Sequence, residues 1–176
     1  MKNMKLLSFV LLLTSLPFVC GCSSRKESSV RNTFSKELIL VDSLKSFQVN
    51  RGWVSRRAEK PLKLVTYVDG TCSQCIYELE NWKDFLLKEN LEDVQFLVYV
   101  RTLDIRVIEE LLSQVGFDYP VIIDFDDTFS IVNELSPKKI EQTFLLNGEN
   151  EVILIGNPLY DVNIKRLYLN TINGES

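Results

Sequence analysis

The chain has 176 residues, 20 Lys and Arg against 24 Asp and Glu, four cysteines and no histidine. The lack of histidine removes Ser-His-Asp and Cys-His nucleophile pairs, His-ligated zinc and a histidine general base, so carboxylates, lysines, hydroxyls and thiols must carry any chemistry. At 45% hydrophobic and 25% charged residues, the composition is that of one globular domain rather than a disordered or fibrous chain.

Lys2 and Lys5 precede an apolar run from Leu6 to Leu13, and Pro17 leads into Val19-Cys20-Gly21-Cys22. A basic start, a short apolar run and small residues at its exit predict an export signal over residues 1–21, too short to persist as a membrane-spanning helix. The last four residues resemble a bacterial lipobox. Cys22 fits it, with an aliphatic residue three places earlier and glycine immediately before; Cys20 does not, because Val19 fills the position that needs a small residue. The expectation is a lipidated Cys22, a flexible tether over residues 22–32 and a domain anchored to the bacterial cell envelope, facing the periplasm, without crossing the membrane. Each buried lipid methylene contributes about 0.8 kcal/mol, so a multiply acylated cysteine holds firmly. Losing Lys2 and Lys5 with the signal leaves the chain more acidic, and no basic, aromatic-interleaved stretch points to nucleic acid.

Residues 33–61 read as an N-terminal extension and 62–173 as the main domain. Glu37-Leu38-Ile39-Leu40-Val41 and Phe47-Gln48-Val49 are short β-like pieces. The polar stretch from Asn50 to Pro61, with Arg51, Arg56, Arg57 and Lys60, reads as a solvated loop. Leu62 to Val68 predicts a strand ending at the turn pair Asp69-Gly70. Ile76, Leu79, Trp82 or Lys83, and Leu86 recur at helical spacing, predicting a helix over about 73–88. Val94 to Val100 is an apolar run of the kind buried on both faces of a sheet. Ile105, Ile108, Leu111, Leu112 and Val115 predict a second amphipathic helix, stopped by Gly116. Pro120 to Asp124 predicts a third central strand, and Thr128 to Leu135 a short helix. Asn147 to Asn150, between Thr143-Phe144-Leu145-Leu146 and Glu151 to Ile155, is a hairpin signal. A last helix is expected over 161–172. This order predicts a layered α/β sheet with one antiparallel edge pair.

Cys72-Ser73-Gln74-Cys75 falls where the first strong strand turns into the first helix. There the first thiol meets unpaired backbone N–H groups and the positive end of the helix dipole, which favour thiolate, and the second sulfur comes within disulfide reach. A zinc knuckle lacks its remaining ligands, since the chain has no second CxxC and no histidine. A purely structural bridge suits an oxidising compartment, but so small a ring closes almost no loop and stabilises little. Asp124-Phe125-Asp126-Asp127 reads as a solvated loop and helix cap rather than a cation site, and Trp53 and Trp82 as packing residues.

The element order with CxxC between strand and helix resembles the thioredoxin fold, in particular the extracytoplasmic, membrane-tethered proteins related to TlpA and ResA. Thr143-Phe144-Leu145-Leu146 and Ile155-Gly156-Asn157-Pro158 are similar to the final hairpin of thioredoxin-like lipoproteins of Bacteroidales. The resemblance implies a three-layer α/β/α sandwich with a mixed sheet, an antiparallel edge hairpin and an N-terminal extension. It also implies Cys72 as attacking thiol and Cys75 as resolving thiol. Three positions depart from the family. Tyr67 to Thr71 replaces an aromatic-rich run that usually contains Trp, Thr66 replaces a buried acid or amide, and Glu141 stands where a cis-proline normally faces the disulfide. A cis bond at a non-proline residue costs about 2.5–4 kcal/mol, so a trans peptide is expected there.

The expected function is a membrane-tethered thiol:disulfide oxidoreductase acting on protein thiols or disulfides. It holds no cofactor, since nothing resembles a flavin or nicotinamide site, and it draws electrons from an unidentified membrane donor. No Lys or Arg lies near the motif in sequence, while Asp69, Glu78 and Glu80 do, so the expected couple is mild, with Cys72 titrating nearer ~7 than ~3.5 and a reducing or exchanging role. The alternative is a non-catalytic, partner-binding lipoprotein with a static Cys72–Cys75 disulfide, which loss of the cis-proline favours.

Overall fold

The computed structural model describes residues 37–55 and 60–174. The expected signal at 1–21, the tether at 22–32, Cys20, Cys22, Arg56 and Arg57 lie outside the described residues.

Seven strands form one mixed sheet. They are β1 (Lys45–Gln48), β2 (Gly52–Val54), β3 (Leu62–Asp69), β4 (Val94–Arg101), β5 (Val121–Asp124), β6 (Thr143–Leu146) and β7 (Val152–Ile155), arranged as β2-β1-β5-β4-β3-β6-β7. The central β3, β4 and β5 run parallel, and both flanks are antiparallel. Helix α1 (Ser73–Lys88) joins β3 to β4, and α2 (Ile105–Gln114) joins β4 to β5. Both crossovers step in the same direction across the sheet, so right-handed connections place both helices on one face. The last helix, α4 (Val162–Asn173), packs there too. Ile76, Leu79 and Trp82 of α1, Ile108 and Leu112 of α2, and Ile164 and Tyr168 of α4 share one core with Leu64, Val68, Val98 and Val100. The alternate strand residues Val65, Tyr67, Leu97 and Tyr99 form a second core on the opposite face, under Leu38 and the short α3 (Thr128–Val132). The outer layers of the α/β/α arrangement are therefore unequal. Among the described residues no helix is long and apolar enough to cross a membrane.

Three local features differ from expectation. Glu37 to Val41 is not a strand: Glu37 makes an isolated bridge to Glu151, and Ile39 exchanges backbone hydrogen bonds of 2.8 and 3.0 Å with the Asn133 side chain. The polar stretch after Asn50 is not all loop, because β2 pairs with β1, turning at Asn50 and Gly52, both at positive φ. A T-shaped contact of 5.7 Å between Phe47 and Trp53 supports this hairpin, which is too short to show a periodic signal. Helix α3 stops three residues early, since Glu134 adopts φ 49°.

Two buried polar groups hold the loops. The Lys63 ammonium donates to Gly148 O at 3.1 Å and Asn150 Oδ1 at 2.7 Å, tying β3 to the β6–β7 turn. Fully buried Asp124 accepts from the N–H groups of Thr128 at 2.9 Å and Phe129 at 2.8 Å, anchoring the start of α3. Asp124→Ala is expected to cost about 2–3 kcal/mol, as for hydrogen bonds to a charged group. The change should appear as a lower urea midpoint at unchanged slope; an unmoved midpoint would show that α3 is anchored elsewhere.

Candidate redox site

The C-terminal ends of β3, β4 and β5 open on one edge of the molecule, and Cys72 stands there as the N-cap residue of α1. Its backbone is extended, at φ −104° and ψ 100°, and its carbonyl accepts the first helical hydrogen bonds, from Cys75 N at 2.9 Å and Ile76 N at 3.3 Å. No side chain caps this helix and no acidic residue occupies its first turn, so Cys72 stands at the positive end of the helix dipole with no acidic side chain of that turn to offset it. Cys72 and Cys75 are joined by a disulfide across a Cα–Cα distance of 5.3 Å. Both are half-buried, and Cys75 packs against the main core.

The approach to the motif is a tight, polar turn. Gly70 N donates to Arg101 O at 2.8 Å and Cys72 N to Asp69 O at 3.1 Å, while Asp69 Oδ1 accepts from the N–H of Thr71 at 3.0 Å and its hydroxyl at 2.7 Å. Arg101 lies 3.6 Å from Asp69 and 3.8 Å from Asp127, and Asp127 accepts the Tyr67 hydroxyl at 2.7 Å. Burial, then the hydrogen bond and charge of Asp127, push the Tyr67 hydroxyl well above its ordinary value, so it remains a neutral donor. Of the acidic run near β5, Asp124 caps α3 and Asp127 braces this turn. Among the described residues no group of three or more acidic or thiol side chains is placed to hold a metal.

On the other side of the disulfide the chain enters β6 through a 3-10 turn, Lys139–Glu141. Every described peptide bond is trans, including those around Glu141. Side chains fix this turn. Glu141 accepts from the Ser136 hydroxyl at 2.7 Å and the Lys138 ammonium at 3.2 Å, Gln142 Nε2 donates to Ser136 O at 2.8 Å, and Gln142 O accepts from Tyr67 N at 3.1 Å. Thr66 does not substitute for a buried acid. It is buried, and its hydroxyl shares a 2.9 Å hydrogen bond with that of Thr143.

The cluster that sequence reasoning missed lies one helical turn past Cys75. The buried Glu78 carboxylate accepts from Asn157 Nδ2 at 3.0 Å, from the Tyr160 hydroxyl and from the Lys139 ammonium. Partial burial opposes the charge on Lys139, but hydrogen bonds to Glu78 and Tyr160 outweigh it and raise its pKa. Burial first, and then Glu78, raise that of the Tyr160 hydroxyl. Because folding raises the Lys139 value, its contribution is in place below the ordinary lysine range near ~10.4 and is lost only as the pH climbs through the raised value. The motif therefore does have a cation in its neighbourhood, supplied from the far side of the sequence and placed over the acid nearest Cys75. The segment Ile155-Gly156-Asn157-Pro158 held part of the signal, since a buried Asn needs a partner.

No family model and no curated protein matches the chain. Solved structures do. A candidate thiol-disulfide oxidoreductase from Bacteroides vulgatus is 17% identical with a TM-score of 0.58, covering 75% of this chain and 88% of that one. The thioredoxin domain of another B. vulgatus thiol-disulfide oxidoreductase is 13% identical with a TM-score of 0.55, covering 77% and 99%. Peroxiredoxin Q of Xanthomonas campestris is 14% identical with a TM-score of 0.53, covering 74% and 89%. The fold is thioredoxin-like, and it is shared by proteins named for different chemistries.

Proposed function

We propose that the chain is a membrane-tethered, extracytoplasmic thiol:disulfide oxidoreductase that reduces or exchanges protein disulfides. The observation that carries this reading is the placement of the Cys72–Cys75 disulfide: half-buried, at an uncapped helix N-terminus just past the C-terminal end of the interior strand β3. In the reduced protein the Cys72 thiolate attacks one sulfur of a substrate disulfide. A Cys72–substrate bond forms, the substrate bond breaks, and one substrate thiolate leaves. The Cys75 thiolate then attacks the Cys72 sulfur and releases the second substrate thiolate, leaving Cys72 and Cys75 oxidised. Two electrons have passed to the substrate, and a membrane donor returns them. Cys22 holds the domain to the envelope through lipid.

A second reading has its own support, in the all-trans, side-chain-braced turn at Glu141 where relatives dock substrate against a cis-proline. On it the disulfide is static and the domain only binds a partner. A Cys75→Ser variant separates the two. An exchanger accumulates intermolecular disulfides through Cys72 that dithiothreitol releases and that vanish in the double variant. Absence of such adducts, together with failure of the wild type to reduce any test-protein disulfide, selects the binding module.

A further inference from the structure

Gln74 sits between the two cysteines, and Gln74, Glu78 and Asn81 follow at spacings that put them along one side of α1. They border a cavity of about 450 Å³ whose other walls are Lys139, Leu159 and Tyr160. A polypeptide bonded through sulfur to Cys72 starts at the same helix end. One turn of α-helix, ~5.4 Å, separates Gln74 from Glu78, which is within reach of a side chain next to the reacting cysteine.

Charge in this cavity is layered. The Glu78 side chain is 10% exposed, and its oxygens are occupied by the Asn157 amide, the Tyr160 hydroxyl and the Lys139 ammonium. The Lys139 side chain is 39% exposed, lines the cavity and holds its ammonium 5.8 Å from the Tyr160 ring centroid. A visiting group therefore meets the positive charge directly and the negative one only through it. An ammonium has three donors, so Lys139, bonded to Glu78 and Tyr160, keeps one for a further acceptor. An incoming Lys or Arg finds the carboxylate already occupied and the nearest exposed charge repulsive.

We infer that this cavity is a subsite for the residue beside the substrate cysteine, and that Lys139 makes it select a carboxylate side chain over a basic one. The inference rests on the exchange reading above. It assigns Lys139 to specificity and gives it no part in the electron transfer.

The test uses three peptide disulfides, identical except for Asp, Asn or Lys next to the cysteine, reduced by the dithiol form of the protein under single-turnover conditions. Wild type should favour Asp over Lys by about fivefold to tenfold, the size of an attraction and a repulsion at a partly exposed charge. The preference should fall as salt is raised. Lys139→Arg should keep it, Lys139→Gln, which uncovers the Glu78 charge, should bring the ratio to one or below, and Lys139→Glu should reverse it. Lys139→Gln leaves no like charge beside Glu78, so it answers the question even where Lys139→Glu fails to fold. Equal rates for the three peptides in wild type, or an unchanged ratio in Lys139→Gln, overturn the subsite while leaving exchange intact. No reaction with any of the three removes the exchange reading, and the subsite with it.

Discussion

Trp82→Ala is expected to lower stability by about 3–5 kcal/mol, the cost of emptying a large aromatic site that cannot collapse. Trp82 is 1% exposed and lies in the core that α1 shares with β3 and β4. Its ring lies 5.7 Å from Phe85 on its own helix and 5.3 Å from Phe96 on β4; Phe96 in turn packs edge-on against Phe117 and Tyr119, before β5. The substitution therefore loosens α1 from the sheet along the helix that carries the cysteines. Against a typical total of about 5–15 kcal/mol, this is a fifth of the stability or more. Denaturation should be followed by far-ultraviolet dichroism, because the remaining Trp53 is half-exposed and reports mainly on the β1–β2 hairpin. A loss below about 1 kcal/mol would mean that the aromatic chain does not couple α1 to β4.

Helix α1 was legible from its sequence because everything that sets its bounds is local. A strand ends at Asp69-Gly70, an apolar stripe starts with Ile76, and the structure places the helix over Ser73–Lys88 as expected. The β6–β7 hairpin was legible for the same reason: Asn147 accepts from Glu149 N at 3.0 Å and Glu151 N at 2.9 Å, so its side chain closes the turn its sequence signals. The N-terminal segment was not. Leu38-Ile39-Leu40-Val41 has the composition of a strand, but backbone groups of Leu38 and Ile39 are met by Asn150 and Asn133, about a hundred residues away, and no periodicity within five residues could reveal that.

The candidate site divides along the same line. Cys72 and Cys75 are three residues apart and announced themselves. Glu78, Lys139, Asn157 and Tyr160 come from α1, the 3-10 turn and the chain after β7, and only the sheet order brings them together. Reading charge along the chain counted Glu78 and Asp69 as unanswered acids beside the motif. In space Lys139 answers the first and Arg101 the second. The Glu141 departure was visible as a missing proline, but its consequence was not, because Ser136, Lys138 and Gln142 rebuild a fixed edge with hydrogen bonds.

Gly70→Ala is expected to disable the site and weaken the fold together, by about 3 kcal/mol or more, at the upper end of overpacking costs. Gly70 is buried where β3 bends toward Cys72. A Cβ there would sit 2.5 Å from Arg101 O, 2.6 Å from Ile108 Cδ1 and 3.0 Å from Val100 Cγ1. The nearest of these is backbone at the C-terminal end of the interior strand β4, and it is the same carbonyl that accepts the Gly70 N–H, so the added atom cannot be accommodated without losing that hydrogen bond. Movement would pass to Asp69, whose carbonyl and carboxylate fix Cys72 and Thr71, and so to the sulfur itself. Gly148→Ala is the control, since its Cβ would meet only Pro61 O at 3.9 Å and should leave stability within about 0.5 kcal/mol. The decisive measurement is the rate of disulfide reduction by folded protein at low temperature, alongside the urea midpoint. A Gly70→Ala protein that lost stability but kept the wild-type rate would show that the Asp69–Cys72 turn positions nothing, and that the helix end alone makes Cys72 reactive.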